Sequence, residues 1–202
     1  MHIIFNNTNI DQNLFKIKKY KKDDIIFEDG IECKEIGFLE SGSISIVTNT
    51  YLENEYEINH ISDDGFFGAF LLFSDNPKYQ GTAIATKAST VYYFNKNNLL
   101  KAFDDKNFLK NYLRLIGNSS LNIQNKIKIL SQKSIREKIL FILYQNQHNN
   151  KNNKYYIKSK EQFSRLLNVT RPSLSRELIK LQEEGIITFN RHYIELKKLS
   201  QL

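Results

Sequence analysis

The 202-residue sequence contains one cysteine, Cys33. A single thiol excludes an intrachain disulfide, a four-thiolate iron–sulfur cluster and a Cys-rich zinc site within one chain. Cys33 itself reads as an incidental loop thiol or as a redox switch. Histidine is nearly as scarce: His2, His60, His148 and His192 are scattered without ligand spacing, so no metal site is expected. His60 lies in a strand-like pattern and reads as a sheet-surface residue or, alternatively, as a haem ligand. No apolar run approaches the ~20 residues of a membrane span. The start MHIIFNNTNIDQNLF lacks the basic beginning and cleavage site of a signal peptide, so a cytoplasmic protein with no membrane partner is expected. P-loop, HExxH and glycine-framed carboxylate pairs are missing as well, and Asp63-Asp64 reads as a turn. An enzyme is therefore not expected.

What is present is ordinary in bulk and uneven in distribution. Hydrophobic content of 41% and charged content of 25% suit a folded chain of one large domain or two modest ones. The net charge is +7, yet residues 133–202 alone carry 14 basic against 6 acidic side chains, a balance of +8. The other 132 residues balance at −1, with 15 basic and 16 acidic side chains. Such segregation is the electrostatic footprint of a module that meets double-stranded DNA.

The basic third contains SKEQFSRLLNVTRPSLSRELIKLQ, Ser159 to Gln182. Ser159 can cap a first helix whose apolar stripe is Phe163, Leu166 and Leu167. Asn168-Val169-Thr170 breaks the pattern, and Thr170 can cap a second helix with Pro172 in its first turn. There Leu174, Leu178 and Leu181 recur at i, i+4 and i+7. At about 100° per residue the opposite side carries Pro172, Ser173, Arg176 and Lys180, with Arg171 at the tip and Ser175 beside them. An ordinary helical hairpin fits this spacing; so does a helix-turn-helix with residues 171–184 as recognition helix. Gly185 closes that helix. Ile186–Phe189, Asn190-Arg191-His192 and Tyr193–Leu196 then read as strand, turn and strand. This is a wing whose Arg191 and His192 could reach phosphate.

Upstream, residues 1–20 read as a short helical lead-in with Leu14, Phe15 and Ile17 as packing residues. Short strands with glycine turns follow: 25–27, 36–39, 43–47, 56–60 and a pair within 81–94, with a turn at Glu40-Ser41-Gly42 and an exposed hairpin loop at 48–54. These argue for an antiparallel barrel or jelly roll over residues 1–105. From Leu109 the spacing turns helical. Leu109, Leu113, Ile116, Ser120, Ile123, Ile127 and Leu130 form a heptad seam, with Tyr112, Leu115 and Leu121 as a second flank. A long buried helix of one chain would show such a pattern; two separate faces favour a parallel homodimer built on 106–132. Ser134 with Glu137 makes a capping box opening the third part, 133–202. The Asn-rich 145–153 reads as a loop before a strand at 155–158. The fold class is α+β: an N-terminal antiparallel β-barrel or jelly roll, a long dimerisation helix and a C-terminal winged helix-turn-helix.

In this order the parts resemble the CRP/FNR family of bacterial transcription regulators, over nearly the whole chain. The resemblance rests most on LNVTRPSLSRELIKLQEEGIITFNRHYIEL (167–196) and SIREKIL, and less on GFLESGSISI and DGFFGAFLLF. It implies a homodimer on a palindromic operator, contacted by Arg171 and Arg176, and RNA polymerase as a partner if the protein activates. Cyclic-nucleotide-binding relatives carry a Gly-Glu pair for the ribose and an Arg-Ser pair for the cyclic phosphate. Here the pairs read Gly68-Ala69 and Tyr79-Gln80, with no arginine between Asp75 and Lys87 and Lys78 as the nearest cation. Leu121-Asn122 replace the hydroxyl residues that relatives set against adenine. A barrel with these residues at its effector pocket is expected not to bind cAMP or cGMP, and no cofactor is predicted. The alternative is a sensor gated by another small molecule or by haem in the barrel. Pro172 stands where relatives often place a base-reading glutamate, so the operator need not be theirs. The family's oxygen-sensing branch needs several cysteines.

Overall fold

The computed structural model describes residues 2–49 and 55–197, and the chain divides into two compact units, Met1–Asn118 and Ser119–Leu202. Six antiparallel strands build the first unit: β1 (Lys16–Tyr20), β2 (Ile25–Phe27), β3 (Glu35–Asn49), β4 (Glu55–Ser62), β5 (Phe66–Phe67) and β6 (Thr82–Asn95). They run in the order β1-β6-β3-β4, with β2 on β6 and β5 on β3. The long strands β3 and β6 pair along most of their length, and the register slips between Leu39 and Ser41 and again between Ser43 and Ile44. Slips of this kind bend a strand, so one strand serves where two were expected. Glu40-Ser41-Gly42 is therefore a bulged bend within β3 rather than a turn, and the strand pair expected within 81–94 is the single strand β6. The hairpin loop expected at 48–54 lies largely outside the described residues.

The lead-in is not a helix. Two 3₁₀ turns, Ile3–Phe5 and Gln12–Leu14, precede β1, whose Lys16–Tyr20 pairs with Ser89–Tyr93. Strand pairing overrides the weak local pattern here. Leu14 and Phe15 pack on the core as expected, but Ile17 is 55% exposed on the edge strand. That core is strongly aromatic: Phe38, Phe94 and Phe108 are fully buried, with Phe5, Tyr92 and Tyr93 close behind. Two helices follow, α1 (Lys96–Ala102) and the 25-residue α2 (Lys106–Leu130). The start of α2 is held by Asp105, whose carboxylate accepts from the backbone N–H of Asn107 and Phe108 at 2.8 and 2.9 Å and of Asn9 at 2.8 Å.

In the second unit α3 (Ile135–Asn150), α4 (Lys160–Leu167) and α5 (Arg171–Glu183) pack with a three-stranded sheet, β7 (Lys154–Tyr156), β9 (Tyr193–Leu196) and β8 (Ile187–Phe189) in that order. Ser134 caps α3 through the Glu137 N–H at 3.1 Å, and Glu137 reaches back to the Lys133 N–H at 2.9 Å. The Asn-rich stretch expected to be a loop instead extends α3 to Asn150 before Lys151 turns left-handed at φ 51°. Asparagine costs a helix only tenths of a kcal/mol per residue, about what one tertiary contact returns. Asn146 supplies such a contact by donating to the Asn152 and Lys154 carbonyls at 2.7 and 3.1 Å. Among the described residues no helix is long and apolar enough to cross a membrane.

Candidate nucleic-acid interface

The helix pair α4–α5 is assembled from local capping. Ser159 accepts from the Gln162 N–H at 3.0 Å, and Asn168 ends α4 in the left-handed conformation at φ 52°. Thr170 then caps α5: its Oγ1 accepts from the Ser173 N–H at 3.3 Å and donates to Ser173 Oγ at 2.8 Å, with Pro172 in the first turn. Leu174, Leu178 and Leu181 are fully buried among Phe163, Leu167, Ile139 and Leu143. With that stripe turned inward, Arg171, Pro172, Arg176 and Lys180 are exposed, and Ser173 and Ser175 are half-buried on the flanks. Glu184 and Gly185, the latter at φ +74°, end the helix. The hairpin β8–β9 follows, its turn closed by Asn190, whose Oδ1 accepts from the N–H groups of His192 and Tyr193 at 2.7 and 3.0 Å. Arg191 and His192 are exposed at that turn.

Two further residues bear on α5 that its capping and leucine pattern do not single out. Ile179 is 49% exposed, three residues after Arg176 on the same outward side of α5. The helical period contained that signal, since an apolar residue outside the leucine stripe has no core to join. Arg136 is the other. Its Nε donates to Glu177 Oε1 at 2.8 Å and its Nη1 to Glu184 Oε2 at 2.8 Å, while Nη2 engages Glu184 Oε1. The hydrogen bonds to Glu184 and Glu177 raise the guanidinium pKa further, and Arg136 in turn depresses the Glu184 carboxyl. Nothing local in SIREKIL announces partners 41 and 48 residues away.

The seam residues on α2 are treated unequally. Ile116 packs on the core of the first unit with Tyr112 and Leu115, and Leu109 and Ser120 are half-buried. Leu113, Ile123 and Ile127 stand 59, 49 and 58% exposed, and Leu130 is exposed as well. Leu121, expected on the packing flank, is exposed, as is its neighbour Asn122.

The residues expected at an effector pocket have unlike surroundings. Gly68 sits at φ +80°, where an added Cβ would meet the Glu35 carbonyl oxygen at 2.9 Å and Cys33 Sγ at 3.0 Å, so the backbone approaches closely and only glycine fits. Ala69 is buried and Gln80 exposed, while Leu121 and Asn122 belong to the second unit. Tyr79 is a core residue, its ring stacked on Phe27 at 3.7 Å and 12°. Burial pushes the Tyr79 hydroxyl and the Cys33 thiol above their ordinary ranges, which keeps Cys33 a protonated, packed thiol. His60 is engaged on the sheet: Nε2 lies 3.0 Å from Ser43 Oγ and Nδ1 3.5 Å from Glu57 Oε2.

Comparison with known proteins agrees with both units. The cyclic nucleotide-binding domain model matches residues 17–106, and the Crp-like helix-turn-helix domain model matches residues 140–202. No curated protein matches the chain by sequence search. Among solved structures, CprK in complex with OCPA is 16% identical over 93% of this chain and 88% of its own, with a TM-score of 0.72. A CooA variant from Carboxydothermus hydrogenoformans is 18% identical over 98% of this chain and 93% of its own, with a TM-score of 0.67. The catabolite activator protein of Thermus thermophilus is 16% identical over 97% and 94%, with a TM-score of 0.53. At such identities the likeness is one of fold, but the two domain models fall in family order on a β-sheet unit, a long helix and a capped helix-turn-helix with its hairpin, and the chain belongs to the CRP/FNR family of bacterial transcription regulators.

Proposed function

We propose that the chain is a cytoplasmic homodimer that lays α5 into the major groove of a palindromic operator, with residues 1–105 as a sensor-like barrel, 106–132 as dimerisation helix and 133–202 as the DNA-binding part. The observation that carries this is the outward side of α5: Arg171, Arg176 and Lys180 exposed above a leucine stripe that is fully buried. Thr170, Pro172, Ser173, Ser175 and Arg191 complete the DNA surface. Arg176 is the base reader, since its planar fork matches the O6/N7 edge of guanine, and Lys180 and Arg191 meet phosphate. Ile179 lies beside them as an apolar contact for a thymine methyl. The exposed Leu113, Ile123, Ile127 and Leu130 support a seam to a second copy. Were the dimer to activate transcription, RNA polymerase would be its further partner.

The barrel does not take cAMP or cGMP. Where cyclic-nucleotide binders place an arginine on the phosphate, this chain has Tyr79, and its ring is packed face to face on Phe27. Ala69 offers no acceptor for a ribose hydroxyl. A cyclic nucleotide would lose two charge-assisted contacts and displace an aromatic stack, a deficit of several kcal/mol. Calorimetric titration is expected to show no micromolar binding; micromolar affinity for either nucleotide would refute this reading.

Selection of bound duplexes from a random pool at stated salt tests the DNA reading. The expected product is a palindrome with half-sites about one helical turn apart. Enrichment of asymmetric sequence, or none, overturns it. Repeating the selection with cell extract reports whether any effector gates binding.

A further inference from the structure

We propose that Arg136 is a positioning residue for DNA recognition: from the start of α3 it grips the recognition helix at Glu177 and Glu184 and thereby sets how α5 is presented. The inference rests on the DNA reading above and deepens it. Glu177 and Glu184 are seven residues apart, about two turns, so they lie on one flank of α5 roughly 10 Å from each other along its axis. A single guanidinium reaches both, through Nε to Glu177 and through a two-pronged contact to Glu184. The leucine stripe alone is three side chains long, one wide and non-directional, which fixes the depth of α5 but constrains its roll about its own axis weakly. Two directional contacts two turns apart oppose both roll and slide. The outward residues Arg176 and Ile179 depend on that roll, because a base-edge contact fails with a displacement of about an ångström.

The same geometry argues against Arg136 as a phosphate contact. The guanidinium charge is already matched by two carboxylates, so none is left over for a phosphate. Three of the five N–H donors are already committed. Lysine would not substitute fully, since a point charge cannot bridge two carboxylates with the planar fork.

Full-length protein, the duplex selected by the wild type and a mixed-sequence duplex of equal length provide the test, with affinities taken over a range of salt. Arg136→Gln is expected to lower operator affinity about tenfold, leave mixed-sequence affinity within about twofold, and leave the slope of log K against log salt unchanged. A phosphate contact would instead weaken both duplexes and flatten the slope by about 0.9 per site; that result overturns the proposal. Glu184→Gln, at the exposed end of the helix, carries the test should Arg136→Gln fail to fold. It too is expected to reduce the operator-to-mixed ratio, whereas an arginine released to reach phosphate would bind both duplexes more tightly. An unchanged ratio in Glu184→Gln, with wild type selecting an operator, sinks the grip alone. A wild type that selects no sequence sinks the DNA reading and the grip with it.

Discussion

His2 ties the first turn of the chain to the barrel, and the tie depends on its charge state. The side chain is fully buried, edge-on to the Phe38 ring at 5.2 Å. Nδ1 accepts from the Ile4 N–H at 3.0 Å, so Nε2, 3.1 Å from the Gly65 carbonyl oxygen, carries the proton and donates. The bond from Ile4 requires the neutral ring, because a protonated Nδ1 cannot accept; the donation to Gly65 survives in either state. Burial is the largest influence on its pKa and lowers it, outweighing the opposing pull of the Gly65 and Asp64 backbones and the Asp64 and Glu40 carboxylates. Above about pH 6.5 both folded and unfolded His2 are neutral and no pH dependence arises. Below that the unfolded chain takes up a proton that the folded chain refuses. Stability then falls by up to about 1.4 kcal/mol per pH unit until the folded pKa is reached. His2→Leu removes the titration but strands an N–H and a carbonyl, at a cost of about 2–4 kcal/mol at pH 7.5. Urea unfolding at pH 7.5, 6.5 and 5.5 reads the comparison. The chain has no tryptophan, so tyrosine fluorescence and circular dichroism follow the transition. The gap between wild type and variant should narrow as pH falls, while contributions from other groups cancel. A gap constant from pH 7.5 to 5.5 would refute the neutral-ring assignment.

Other substitutions test the remaining elements. Arg176→Ala should relax specificity at one symmetric base position, by about 1–3 kcal/mol, while Lys180→Ala should weaken all sequences alike and reduce the salt slope by about 1; indistinguishable selection profiles remove the role given to Arg176. Ile127→Glu places a charge within the exposed stripe on α2 and should yield a monomer in sedimentation, so a persisting dimer refutes the seam. Asp105→Ala should cost about 0.5–2 kcal/mol in urea unfolding, because three backbone N–H groups lose their acceptor. Its pKa is lowered first by the Asn9 N–H and then by Phe108, so that contribution is present above about pH 4 and disappears as pH falls through the lower folded value. An unchanged acid limb in Asp105→Ala would contradict this.

The helix-turn-helix was legible because its signals are local. Ser159 and Thr170 cap within three residues, the leucine stripe repeats within two turns, and Gly185 stops the helix where a left-handed residue is needed. The departures in the first unit have the opposite character. Lys16–Tyr20 became a strand only because β6, some 70 residues later, offers an edge to pair with. Glu40-Ser41-Gly42 has the composition of a turn, yet the chain only bends there and goes on pairing as β3, the spare residues absorbed as bulges. The run after Gln145 has the composition of a loop, and Asn146 stitches it to the next strand as a helix.

Periodicity, caps and glycine positions are properties of short windows, and they sufficed for the order of parts, the buried leucines of α5 and the side of it that is exposed. Which apolar residues of α2 are already taken, by contrast, was settled by packing: Ile116 joins the core of the first unit while Leu113 and Ile127 do not. The stacking of Tyr79 on Phe27, the neutral His2 and the grip of Arg136 on α5 were likewise decided only by tertiary structure. Each joins groups separated by 41 residues or more, except the local half of the His2 tie. No window of a few turns encodes such a meeting. It depends on loop closure, strand register and the desolvation that follows once the core has formed.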